Sequence, residues 1–143
     1  MAARLTDVCA AIADRAQAFV AYPVAAADPG IVGMDGPYGV VHAVSGTVGW
    51  LGTEQQWLDA VRLDFYCTLA KVTPQVVAAI RALPEPLTDA FAPGDTTDGY
   101  RLDGLVNHCK FLGYEFGTVD RGGAEYWVGR FSFDIKRTRF VGE

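Results

Sequence analysis

Histidine occurs only at His42 and His108, and cysteine only at Cys9, Cys67 and Cys109, so the side chains that most often bind metals and drive acid–base chemistry are few. The cysteines are odd in number, widely spaced and without a Cys-x-x-Cys pair, which argues against a disulfide framework and a zinc-ligand spacing and predicts reduced core thiols. His108 and Cys109 are neighbours in an expected strand. Their side chains then face opposite ways and cannot act as base and nucleophile. Positive charge is also scarce: 12 Lys and Arg against 17 Asp and Glu leave a net charge of −5, a poor start for gripping nucleic acid. The longest uncharged apolar stretch near the start, Ala16 to Ala27, is too short to span a bilayer and is broken by Gln17, Tyr22 and Pro23. Met1 to Arg15 lacks the basic start and continuous apolar run of a signal peptide, so synthesis in the cytoplasm is expected. There is no Gly-Lys-Ser/Thr, and Gly30, Gly33 and Gly36, like Gly46, Gly49 and Gly52, recur every three residues rather than in a phosphate-binding pattern. Asp95, Asp98 and Asp103 share a polar loop that lacks the alternating ligands and closing Glu of a calcium loop. These absences leave no expected metal and no expected cofactor.

What is present is a chain of 143 residues, half of them apolar and a fifth charged, enough for one domain over residues 1–143 with a core of its own. Leu5, Val8, Cys9, Ile12, Ala16 and Phe19 recur at helical spacing, predicting a helix from Ala3 to Phe19 that Pro23 follows as a stop. Asp28 to Pro37 reads as a Pro-Gly loop, Tyr38 to Val44 as a strand, and the glycine-rich Ser45 to Thr53 as a long connection or hairpin tip carrying Trp50 and Leu51. From Gln55 to Ala70 the pattern alternates. Trp57, Asp59, Val61, Leu63, Phe65 and Cys67 face one way, while Arg62, Asp64, Tyr66 and Thr68 face the other, over a length that predicts a strand projecting beyond its sheet. Thr73-Pro74 starts a second helix through Val76, Val77, Ile80 and Leu83, with Pro84 and Pro86 ending it. Val106 to Val119 and Ala124 to Lys136 predict a hairpin around Gly122 and Gly123, and Lys136, Arg137, Arg139 and Phe140 a short basic tail. The fold class expected is α+β: a mostly antiparallel β-sheet, two flanking α-helices and a long projecting strand or hairpin.

A long amphipathic strand, an aromatic glycine-rich connection and no assembled catalytic motif are features of a protein whose work is contact. Both features can support β-augmentation and head-to-tail interfaces that close into rings. The layout itself resembles a known family. The helix Arg4 to Phe19 leading into Tyr22-Pro23-Val24, the Pro-Gly loop, the strands Gly39 to Val44 and Trp57 to Leu69, the helix Pro74 to Leu83 and the hairpin Val106 to Ile135 are similar to tail terminator proteins of long-tailed bacteriophages. The segment Gly122-Gly123-Ala124-Glu125-Tyr126-Trp127-Val128-Gly129-Arg130-Phe131 resembles the glycine-led aromatic strand that ends many such sequences, especially in phages of actinobacteria.

The resemblance implies a non-enzymatic virion protein at the head–tail joint, assembled in the host cytoplasm. It would form a homo-hexameric ring on the tail tube protein, end tube growth and meet a neck or head-completion protein, with genomic DNA only a passenger through the lumen. The acidic balance suits a lumen that does not grip phosphate. Residues expected at the interfaces are Trp50 and Leu51 in the connection, Arg62, Asp64 and Tyr66 on the polar face of the long strand, and Arg137 and Arg139 in the tail. Two other readings stand beside it: a neck or stopper protein, and a small ligand-binding domain or enzyme using His108 and the Asp95–Asp103 loop.

Overall fold

The computed structural model describes residues 4–26, 37–94 and 99–140. Within them the chain is α+β: a five-stranded, mostly antiparallel sheet in the order β1-β2-β3-β5-β4, with helices packed on one face. Helix α1 runs over Leu5–Gln17, with Asp7 accepting from the Arg4 backbone N–H at 3.2 Å to close its first turn. Gln17 then fastens the helix to the short strand β1, Val24–Ala26. Its amide nitrogen donates to the Val20 and Tyr22 carbonyls, and its oxygen accepts from the Val24 N–H at 2.9 Å.

Strand β2, Tyr38–Leu51, pairs parallel to β1 only at Gly39, Val40 and Val41, and antiparallel to β3, Glu54–Thr68, along its whole length. The segment Ser45 to Leu51 is therefore strand, the far end of a hairpin with β3, and of the two expected readings the long connection is the one that fails. Glycine weakens a lone strand, but a full ladder of partners on β3 overrides that preference. The reversal is confined to Gly52 and Thr53, with Gly52 at a φ of 64°, where a side chain would be strained.

Helix α2, Pro74–Arg81, is capped as the sequence predicts: the Thr73 hydroxyl accepts from the Val76 N–H at 3.2 Å. Pro84 and Pro86, expected as stops, open a third helix, α3, Pro84–Ala90. Prolines fit there because the first turn's N–H groups have no helical acceptor to lose. The expected loop at Asp28–Pro37 lies, apart from Pro37, outside the described residues.

Strands β4, His108–Arg121, and β5, Ala124–Phe140, form the expected hairpin, turning at Gly122 and Gly123 with φ of 60° and 84°. β5 pairs with β3 from Thr68↔Tyr126 to Glu54↔Phe140, so Lys136 to Phe140 is strand and not a tail. One extra residue bulges from β2, at Val44, and one from β4, at Leu112, and both are exposed. The core lies between the helices and one sheet face. Val8, Ile12, Ile80 and Leu87 pack on Leu63, Phe65, Phe131, Phe133 and Ile135, all fully buried.

Candidate functional site

Two features stand outside this core. The first is an arm. From Ala43 to Leu51 every residue of β2 is exposed, and the matching ends of β3 and β5 continue with it as a three-stranded ribbon. At the strand rise of about 3.3 Å per residue the arm reaches roughly 25 Å. Trp50 and Leu51 at its tip are 62% and 66% exposed, and Val44, Val48, Leu58 and Phe140 are exposed along it. Register sets Trp50 with Val48 and Arg139 on one face, and Leu51 with Phe140 on the other. The arm's root is fixed by a charge pair: Arg137 Nε donates to the buried Asp59 carboxylate at 2.8 Å, and its guanidinium lies 4.8 Å from the centre of the Trp57 ring. Gly46 gives Asp59 the room it needs, since a Cβ there would stand 2.7 Å from Oδ1. Arg137 is thus part of the subunit's own frame, whereas Arg139 is exposed near the tip.

The second feature is the sheet's other face, on which no helix packs among the described residues. Arg62, Asp64 and Tyr66 point there as the alternation predicts, but Asp64 is fully buried and Tyr66 nearly so. The Asp64 carboxylate receives His42 Nε2 at 3.0 Å, Arg62 Nε at 2.9 Å and the Tyr66 hydroxyl at 3.0 Å. Burial alone would raise its pKa. The His42 hydrogen bond, the Arg62 charge and the Tyr66 hydroxyl outweigh burial and hold it below the ordinary carboxylate value. Tyr66 moves the opposite way, pushed up by burial and by the Asp64 charge. Its ring meets Tyr38 at 5.8 Å and Tyr126 at 6.1 Å, and the Arg121 guanidinium sits 5.1 Å from its centre. Arg130 approaches from β5, with Nε 3.9 Å from Asp64, beyond hydrogen-bonding distance.

Of the residues of the enzymatic alternative, His108 and Asp103 have separate partners. His108 stacks on Tyr100 at 6.0 Å with Nε2 3.4 Å from Asp134, while Asp103 pairs with Arg15 at 3.2 Å. Asp95 and Asp98 lie outside the described residues. All three cysteines are buried and none forms a disulfide; burial pushes the Cys9 and Cys109 thiols up, away from the reactive thiolate. No group of three or more His, Cys, Asp or Glu side chains placed to hold a metal occurs among the described residues. No family model matches the chain, and no curated protein matches it either.

Of the residues singled out from sequence, the structure brings Arg62, Asp64 and Tyr66 together, places Trp50, Leu51 and Arg139 at the arm's end, and sets Arg137 at its root. Sequence reasoning missed His42, Arg121 and Arg130 as partners of the Asp64 cluster. Each comes from a different strand, so only the register of the finished sheet puts them side by side.

Proposed function

We propose that this chain is a structural assembly protein of the tail-terminator kind: a subunit that rings the end of a phage tail tube, halts its growth and presents a surface to the neck. The arm carries this reading. An exposed tryptophan and leucine at the tip of a rigid three-stranded ribbon, with further apolar side chains along it, form a surface that a lone subunit leaves in water and a partner would cover.

The sheet edges support the same reading. The outer edge of β2 from His42 to Leu51 and the outer edge of β4 have no strand partner among the described residues. They are two different edges on opposite sides of one sheet, and a contact between unlike surfaces closes into a ring when its rotation divides the circle. On this reading the partners are further copies of the chain in a homo-hexamer, the tail tube protein and a neck or head-completion protein. The site of action is the head–tail joint of the virion. DNA passes through without being held, and neither catalysis nor a cofactor is involved.

Trp50, Leu51 and Arg139 are the proposed contact residues at the arm. The test is negative-stain imaging of the protein mixed with polymerising tail tube protein. Tubes of uniform length with a ring at one end are expected; tubes that grow unchecked and bare would overturn the terminator reading.

A further inference from the structure

The open sheet face holds a shallow cavity of about 370 Å3 lined by Arg62, Tyr66, Val119, Asp120, Arg121 and Arg130. Three guanidinium groups meet there: Arg62 is hydrogen-bonded to Asp64, whereas Arg121 and Arg130 have no hydrogen-bonded carboxylate among the described residues. Asp64 accepts from His42, Arg62 and Tyr66 through Oδ2, and its Oδ1, 3.9 Å from Arg130 Nε, has no hydrogen bond among the described residues. Glu115 reaches Arg130 Nη1 only at 3.7 Å and is largely in water, and Asp120 is exposed. Arg130 Nε is buried with no hydrogen-bond acceptor among the described residues.

We propose that this cavity binds a carboxylate, the acidic side chain of a partner protein that docks on the open face. Guanidinium groups present their N–H donors in a planar fork that matches a carboxylate's two oxygens, and the Tyr66 ring and Val119 give the acid's methylene stem an apolar wall. Arginine and tyrosine around a small recess are also the composition of an interface anchor point. A nucleic-acid backbone suits the site less well. It needs a track of several cations along an extended surface, whereas the arginines here meet in one small recess. The inference stands on the cavity and is independent of the ring: the occupant is an acidic segment of a partner protein.

The test uses the intact protein and capped tetraglutamate peptide, followed through the arginine Nε–H signals in proton–nitrogen correlation spectra at about 0.15 M salt. Saturable shifts of the Arg130 signal are expected with tetraglutamate and not with tetraglutamine. Arg121→Ala should weaken binding roughly tenfold, the worth of about one charge-assisted hydrogen bond. Arg121 lies over the Tyr66 ring at the surface, so its thermal midpoint checks that the fold persists; Arg62→Lys, which keeps the charge but loses the fork, should weaken binding as well. No saturation, or shifts that Arg121→Ala leaves unchanged, would overturn the proposal. So would tighter binding of oligothymidylate at the same signals, which would assign the cavity to nucleic-acid phosphate.

Discussion

Asp64 is a charged side chain with no access to water, held by three donors from two strands. Removing the charge of such a group leaves its cationic neighbours without their counter-ion, and breaking a buried pair costs about 3 kcal/mol. Asp64→Asn should therefore lower the free energy of unfolding at neutral pH by about that amount, read from urea titration. The pH dependence has a definite sign. The folded-state pKa lies below the ordinary value of 3.8, so the unfolded chain takes up its proton first; stability is present above that value and is lost as pH falls through the lower, folded-state one. The gap between wild type and Asp64→Asn should shrink below about pH 4, and a gap that holds constant into acid would show that Asp64 is not charged in the folded protein. None of this was legible from composition. Alternation places Asp64 on the polar face correctly, but its burial comes from His42, Tyr66 and Arg62 closing over it, which needs the pairing of β2 with β3.

The elements show where local patterns suffice and where they do not. Helix α1, the Thr73 cap, the long alternating strand and the closing hairpin were all readable, because each is set by residues near in sequence. Ser45 to Leu51 and Lys136 to Phe140 were not: their strand character comes from partners on β3 that lie elsewhere in the chain. Helix α3 was hidden by two prolines that stop a helix in its middle but fit its first turn. Packing between elements is equally specific. Gly129 in β5 lies under α2, and a Cβ there would stand 2.6 Å from the Ile80 side chain. Gly129→Ala should push α2 outward and cost about 2 kcal/mol by overpacking, visible as a lower thermal midpoint; an unchanged midpoint would mean that α2 shifts freely on the sheet. Gly117, across the ladder from Val128, has open space around it, so Gly117→Ala serves as the control.

At the scale of the whole molecule the arm separates stability from contact. Trp50 and Leu51 lie beyond the core and are mostly in water, so Trp50→Ala combined with Leu51→Ser should change unfolding free energy by no more than about 0.5 kcal/mol. On the proposed terminator reading, the same variant should fail to cap tail tubes under imaging. A large drop in stability would instead make the tip part of the fold, and normal capping would remove it from the contact surface.

The strand order has its own consequence for how the molecule is made. β5 is the last described strand in the chain yet sits between β3 and β4. While a ribosome is still short of Ala124, β3 and β4 have no strand between them, and Trp127, Phe131, Phe133 and Ile135, four of the core's members, do not yet exist. The sheet is thus completed from the middle, by the last of its five described strands to be made. Nascent chains hold two unpaired strand edges in the open, a state that invites chaperones and misassociation. The arm's third strand arrives with the far half of β5, from Lys136 onward, so a chain translated only as far as β4 has no finished arm.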